Sequence, residues 1–380
     1  MNNRSGYFVS QPAGFKSFVP NKLPPINPPI QYDRELQKAL SEADIMLGRL
    51  DGVTQILPNP DLFVAMYVKK EAVLSSQIEG TQASLTDLFE DSDDENKIKH
   101  VAEIVNYVNA MNYGIERLST LPLSLRLIRE IHGYLLENVR GGERNPGEFR
   151  RSQNWIGPNG STLATAVFIP PTIPDMTQAL YDLEKFMHDS SDELPPLIKI
   201  ALIHAQFESI HPFLDGNGRI GRLLITFWLF NEHVLTKPLL YLSYYFKMNR
   251  EEYYESLMNV RLNGDWESWI KFFLKGISSV STEAISTAKE ILNLKEECEN
   301  KIGSLNNANY SNCLNYLFEY PVVTKTMLSE KLNIAAPTVA RIVVKMCSLG
   351  ILKDITPYKK RYKKYSFHKY LSILNRGTEI

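Results

Sequence analysis

The chain has 380 residues, 44% of them hydrophobic and 22% charged, and a formal net charge of −1. That size can bury a substantial core in two or three domains, and the balance is ordinary for a soluble globular protein. It excludes a membrane span, since the longest apolar run (Leu223 to Phe230) is far too short, and no secretory leader is visible. Cys298, Cys313 and Cys347 have neither metal-ligand nor redox spacing, so a reducing cytoplasm is expected.

Residues 1–30 are rich in proline (Pro12, Pro20, Pro24, Pro25, Pro28, Pro29) and read as an extended arm. From Tyr32 the spacing of Leu36, Leu40, Ala43, Ile45 and Leu47 predicts a helix that Pro58 and Pro60 end. Asp61 reads as the N-cap of a second helix, running to about Gln77. Glu90 to Glu95 reads as an exposed acidic loop, followed by helices at Ile98–Leu118 and Ser124–Asn138. Gly141 to Pro171 lacks helical periodicity. Within it, Trp155-Ile156-Gly157 and Ala166–Ile169 flank a Pro158-Asn159-Gly160 turn, which predicts a β-hairpin. Helices resume at Asp175–His188, Pro196–Ile210, Arg219–Glu232, Asn249–Leu262 and Trp266–Asn300.

Charge is unevenly spread. Residues 301–380 hold 13 Lys/Arg against 4 Asp/Glu, whereas residues 1–300 hold 29 against 39. Either a solvated basic surface or an anionic partner for the tail accounts for this. In the tail, Thr324 can cap a short helix through Leu332, Asn333-Ile334-Ala335 makes a turn, and Pro337 opens a second helix. Val339, Ile342, Val343 and Met346 face inward on that helix. Ile351–Ile355 and Tyr365–Phe367 then flank Thr356 to Lys364, with five basic residues among tyrosines. This unit resembles a winged helix-turn-helix domain. Such a basic unit points to DNA phosphates or, as an alternative, to protein contacts; Arg341 and Lys345 are its only long polar readers on the second helix.

The densest chemistry lies in His211 to Arg222, HPFLDGNGRIGR. It joins a proton acceptor (His211), a carboxylate (Asp215), three glycines (Gly216, Gly218, Gly221) and two arginines (Arg219, Arg222). Glycines let main-chain N–H groups close on phosphate oxygens, arginines neutralise phosphate charge, and a carboxylate can hold a divalent ion. The embedded GxGxxG needs a strand before it, but a helix precedes it, which argues against a dinucleotide fold. No Gly-Lys-Ser/Thr follows, so it is not a P-loop. Zinc at His204, His211 and Asp215 matches no common ligand spacing. A purely structural loop leaves the arginines unexplained.

The stretch resembles the Fic family motif HxFx(D/E)GNGRxxR at every specified position, with His204, Phe207 and Ile210 also similar. The resemblance covers roughly residues 30–275 and implies transfer of AMP from ATP, with Mg²⁺, to a hydroxyl side chain of a target protein. It implies a general base at His211 and a metal-orienting carboxylate at Asp215. It further implies an anion hole at Gly216, Asn217 and Gly218, and a phosphate clamp at Arg219 and Arg222, with Ile220 and Gly221 completing the ATP-binding stretch. The predicted hairpin resembles the family's target-positioning flap, and Tyr253 and Tyr254 fall where nucleotide-contacting aromatics are expected. Ser75-Ser76-Gln77-Ile78-Glu79-Gly80 resembles the family's inhibitory motif (S/T)xxxE(G/N) at Ser75, Glu79 and Gly80. That implies Glu79 pairs with Arg222 and fills the γ-phosphate position; the same glutamate could instead support AMP removal.

The expected fold is therefore mainly α: a Fic helical core with a short β-hairpin flap, plus a C-terminal winged helix-turn-helix. Expected boundaries are 1–100 (arm and inhibitory helices), 101–275 (core), 276–305 (linker helix) and 306–380 (winged helix). Expected partners are a protein target, the chain itself as a target, DNA and a second copy, but no membrane. The competing reading is a DNA-binding regulator whose core senses nucleotide without efficient transfer.

Overall fold

The computed structural model describes every residue except 1–3, 57–59, 90–93, 159, 190, 192, 304, 306, 360 and 380. Expectations at Pro58, Asn159, Lys360 and the first part of the acidic loop therefore lie outside the described residues. The described chain is mainly helical, as the periodicity requires.

The proline-rich N-terminus is not an extended arm. Strands β1 (Gly6–Ser10) and β2 (Lys16–Pro20) pair antiparallel, Phe8 opposite Phe18. The prolines stay out of the strand interiors, where a missing N–H would break the ladder. Hydrophobic burial holds the hairpin: Phe18 packs at 5.2 Å from Phe8 and 5.6 Å from Phe168, ring centre to ring centre.

Helix α1 (Arg34–Ile56) is capped by Asp33, whose carboxylate accepts from the Leu36 N–H at 2.7 Å. Helix α2 (Pro60–Ile78) begins on Pro60 itself, where the lost N–H matters least, so Asp61 sits in the first turn rather than at the cap. Asp94 caps α3 (Glu95–Arg117), and Ser124 caps α4 (Leu125–Leu135). The segment read as a hairpin is a loop pinched by one antiparallel bridge, Ile156 with Phe168. Helix α5 (Ile173–His188) follows it.

Helices α6 (Pro196–Ile210) and α7 (Asn217–Asn231) form the centre. Every residue from Leu197 to Ile210 is buried, the polar Lys199, His204, Gln206, Glu208 and Ser209 included, because neighbouring elements cover α6 on all sides. A short helix not expected from sequence, α8 (Ser243–Met248), precedes α9 (Arg250–Asn263) and α10 (Trp266–Gly303). Helix α1 lies along α10. The stretch expected as a linker helix is the continuation of α10 and is itself packed, with Ile277, Ala284, Ala288 and Cys298 buried.

Beyond α10 come α11 (Ala308–Glu319), β3 (Val322–Thr324), α12 (Lys325–Leu332), α13 (Ala336–Ser348), β4 (Lys353–Asp354), β5 (Lys364–Ser366) and α14 (His368–Leu374). The sheet order is β3-β5-β4, all antiparallel. Thr324 caps α12 through the Met327 N–H at 3.2 Å, and Asn333 takes the left-handed turn at φ 52°. Val339, Ile342, Val343 and Met346 are buried, while Tyr358 and Tyr362 stand out in solvent between β4 and β5. Among the described residues, no helix is long and apolar enough to cross a membrane.

Candidate active site

The loop joining α6 to α7 carries the twelve-residue motif. His211 ends α6 in the left-handed region (φ 49°), a conformation that costs a non-glycine residue roughly 1–2 kcal/mol. Neighbours hold it there. Its N–H donates to the Phe207 carbonyl at 2.9 Å, and its carbonyl accepts from Arg150 Nε at 3.1 Å and Asn154 Nδ2 at 3.0 Å. Arg150 also donates to the carbonyls of Ser152 and Pro171, so one buried guanidinium ties His211 to both ends of the Ser152–Pro171 loop. Nothing in the spacing around Arg150 or Asn154 announces these tasks.

Burial, then the cations Arg261 and Arg150, push the His211 pKa down to about 3, only partly offset by Glu79 and the Glu208 carbonyl. The imidazole is neutral near pH 7 and has a lone pair to accept a proton. Its Nδ1 is buried with no hydrogen-bond partner among the described residues.

The loop is closed from within. Phe213 is fully buried and stacks on His132, ring centres 3.7 Å apart. His132 Nδ1 accepts from the Gly147 N–H at 2.8 Å, so its Nε2 carries the proton and donates to the Asp215 carbonyl at 3.0 Å. Burial first of all drives the His132 pKa down to about 4. The Asn217 side chain is spent on both main-chain groups of Phe213, at 2.8 Å each. It therefore shapes the loop, and only its main-chain N–H is left for an anion. Gly216 has φ 76° and opens α7, whose first N–H groups have no partner within the helix.

The two arginines differ. Arg219 is 1% exposed; its Nη2 lies 3.5 Å from Asp215, and its Nε and Nη1 are buried without a partner among the described residues. Unmet donors of a buried cation are costly, and a phosphate oxygen would satisfy them. Arg222 is engaged through two of its three nitrogens: Nε donates to Ser75 Oγ at 2.8 Å, and Nη2 donates to the Ser75 carbonyl at 2.9 Å and to Glu79 Oε1 at 2.8 Å. The pairing of Glu79 with Arg222 expected from the resemblance is present as a contact. Burial alone would raise the Glu79 pKa, but Arg222 and Arg219 hold it below the usual carboxylate value. The Arg222 pKa is raised: burial lowers it, but Glu79 outweighs that.

Glu79 follows α2 directly and Gly80 turns the chain at φ 93°. The carboxylate lies so close to Gly218 that a Cβ there would come within 2.3 Å of Oε1. An anion from this chain thus already sits at the start of α7. Ile220 is buried in the core, and a Cβ at Gly221 would meet Glu208 Oε1 at 2.2 Å. Glu208 is buried and pushed up to about 7, first by burial. It carries no obvious sequence signal.

One expectation changes. Tyr253 is 1% exposed, stacks on Phe246 at 4.3 Å and bonds to His204 Nε2 at 2.9 Å, so its ring has no free face for a base. Tyr254 keeps 39% exposure, with Arg250 over its ring, and remains available. His204 is satisfied by Tyr253 and the Gly221 carbonyl, and the described residues contain no group of three or more side chains suited to a metal.

The flap loop is fixed at its base by Arg261, whose guanidinium lies 4.3 Å over Phe168, and by the Phe18 N–H donating to the Ile169 carbonyl at 2.9 Å. Trp155 and Val167 remain exposed on it, at 41% and 60%.

Residues 37–116 match the Fic/DOC family N-terminal model and residues 122–229 the Fic/DOC family model. Protein adenylyltransferase Fic of Drosophila grimshawi is 32% identical over 134 residues, and that of Drosophila mojavensis 33%. Each match covers 35% of this chain and 24% of the relative, so the chain matches about a quarter of their length. The fold is shared with a Fic family protein from Desulfovibrio desulfuricans G20 (TM-score 0.58, 18% identity, 89% of this chain and 97% of that one). It is shared also with Fic-1 of C. elegans (TM-score 0.51, 20% identity, 67% of this chain and 73% of that one). The chain carries the Fic/DOC domain, its N-terminal and its Fic parts in succession, and is homologous over part of its length to protein adenylyltransferases named Fic.

Proposed function

We propose that the chain transfers AMP from ATP to a hydroxyl side chain of a target protein, itself included, and that Glu79 holds the site closed. The observation that carries this is Arg222 held by Ser75 and Glu79 while Arg219, one turn earlier, has buried donors unmet. In the reaction the target hydroxyl attacks the α-phosphorus, its proton passes to neutral His211, and the bond to pyrophosphate breaks. Arg219 and the first N–H groups of α7 neutralise phosphate charge. Asp215 is part-exposed, with Oδ1 accepting from the Gly216 N–H at 2.6 Å. A single such carboxylate suits Mg²⁺, an ion that keeps waters and leans on substrate phosphates. When bound, that ion would offset charge on the α- and β-phosphates. The same arrangement is compatible with AMP removal, with Glu79 activating a water.

For residues 306–380 we propose a winged helix that contacts DNA phosphates through the basic segment between β4 and β5. Support comes from the β3-β5-β4 order, the α12–α13 pair and the exposed Tyr358 and Tyr362. A gel shift across a salt series tests it; no binding at low salt would favour protein contacts instead.

Mass spectrometry for an added AMP on the chain or on lysate proteins tests the catalytic reading. Parent, Glu79→Gly and His211→Ala are compared. We expect adducts to rise in the first variant and vanish in the second. Adducts in neither parent nor Glu79→Gly would favour the regulator that senses nucleotide without transfer.

A further inference from the structure

Helix α2 ends at Ile78, directly before Glu79, and the segment after α14 is fastened to that end. The side chain of Gln77, in the last turn of α2, makes three hydrogen bonds. Its Nε2 donates to the Ala83 carbonyl at 2.9 Å and to the Thr378 carbonyl at 2.8 Å, and its Oε1 accepts from Lys247 Nζ at 2.7 Å. Lys247, on α8, also donates to the carbonyls of Gly377 at 3.1 Å and Glu379 at 2.7 Å. Gln77, Lys247 and the residues after α14 thus form one closed set of bonds.

The tail is seated rather than draped. Thr378 is 1% exposed, and Asn375 donates to Thr86 Oγ1 at 2.8 Å, just beyond the inhibitory turn. Gly377 has φ 79° and lies against the Tyr244 ring, where a Cβ would come within 2.1 Å of a ring carbon. Arg376 forms a two-bond pair with Glu290 of α10. Tyr370 and Leu374 of α14 are buried in the core.

The bonds of Gln77 to Thr378 and Lys247 are made with the end of α2 helical. The Glu79 turn hangs from the same residues: the Glu79 N–H donates to the Ser76 carbonyl at 3.1 Å and the Gly80 N–H to the Gln77 carbonyl at 3.0 Å. If Glu79 leaves Arg222 by unwinding this turn, Gln77 moves and the tail loses its bond to it. A contact made in one state and lost in the other shifts the equilibrium towards the first.

We infer that the C-terminal segment Asn375–Glu379 is a latch on the inhibitory turn, so that the C-terminal domain sets how often Glu79 leaves Arg222. The inference rests on the reading of Glu79 as a brake. It identifies an intramolecular partner for the brake: a main-chain segment that offers carbonyls to an amide and an ammonium. Coupling is reciprocal, so whatever draws the tail away opens the site, and whatever displaces Glu79 loosens the tail.

The test uses the full chain and three latch variants: a stop after Leu374, Gly377→Val, which drives the tail off Tyr244, and Lys247→Met. Each is made alone and with Glu79→Gly. One readout is incorporation of AMP from α-labelled ATP. The other is hydrogen exchange at residues 75–81, which needs no activity. The latch predicts faster exchange in all three variants and transfer raised roughly fivefold or more, as expected from losing one or two net hydrogen bonds. No further rise is expected on top of Glu79→Gly. Unchanged exchange and transfer in the latch variants, with Glu79→Gly still activated, would overturn the latch and leave the proposed function standing. If Glu79→Gly is no more active than the parent, the brake fails, and exchange alone then decides whether the tail holds the turn. Exchange faster throughout α10 as well would mean general loosening and would also overturn the inference.

Discussion

The Asp215 end of the site and the Glu79 end treat their arginines in opposite ways. At the first, Arg219 is buried with Nε and Nη1 unmet among the described residues. At the second, Arg222 meets a hydroxyl, a carbonyl and a carboxylate, all from residues 75–79. Both arginines stand on α7 and both are buried, so helix position does not distinguish them. The difference is that the end of α2 supplies an anion at one and nothing at the other. A buried cation with donors left unmet, Asp215 reaching only its Nη2, is a site awaiting a ligand; one hydrogen-bonded to an internal anion is a site already occupied.

The largest effect should come from the group that neither arginine replaces. His211→Ala should lower AMP transfer at least ~10²-fold, in line with general-base contributions. Near-normal single-turnover rates would remove His211 from the mechanism. Arg219→Ala should follow, with transfer falling roughly 10- to 100-fold as about 1.5–3 kcal/mol of charged hydrogen bonding is lost. ATP binding followed by calorimetry checks that comparison, and unchanged affinity would mean the unmet donors face no phosphate.

Glu79→Gly should act in the other direction, raising transfer about tenfold, the equivalent of ~1.4 kcal/mol of competition for Arg222. ATP should also raise the melting temperature of that variant more than that of the parent, because only the variant has a vacant cation at both ends. Equal shifts would dissolve the contrast. Arg150→Ala should lower kcat by up to about tenfold with KM for ATP little changed, since it orients His211 and the flap rather than nucleotide. Arg150→Lys should not restore the rate, because one ammonium cannot reproduce the guanidinium fork. A change confined to KM would contradict the positioning role.

The smallest effect is on stability against pH. His132, His204 and His211 have pKa values pushed down to about 4, 3 and 3, chiefly by burial. The unfolded chain takes up these protons first, so stability falls as pH drops below the unfolded histidine value of about 6.5. Glu71 and Glu208 are pushed up to about 7, again chiefly by burial, and work oppositely, losing stability as pH rises from about 4.5 to 7. Between pH 6.5 and 4.5 the three histidines outweigh the two glutamates by one group, so stability declines gently. Below pH 4.5 only the loss remains, so urea midpoints should fall gently and then drop steeply. A steep fall beginning at pH 6.5 would show that the glutamates are not protonated in the fold.

Much of the helical framework was legible in the sequence. Apolar spacing places α1 and α6, and Ser124 and Thr324 act as the caps their positions suggest. Within Gly141–Pro171 the expected pairing of the two flanks is present at Ile156 and Phe168, but as a single bridge and not as two full strands. The N-terminal hairpin was misread since its prolines dominate the pattern, whereas Phe8 and Phe18 are stabilised by Phe168, 150 residues beyond Phe18.

By itself the sequence determined which chemical groups the site can use. A glycine-rich turn between two helices, with a histidine before it and arginines after, is a local pattern, and local patterns survive in one dimension. Tertiary structure decided which of those groups are engaged. Whether Arg222 is occupied, whether Tyr253 has a free face, and whether Arg150 steadies His211 each depend on side chains brought together from distant helices. Burial then sets the protonation of His211 and Glu208, because the desolvation that shifts a pKa is a property of the packed neighbourhood and not of the residue order.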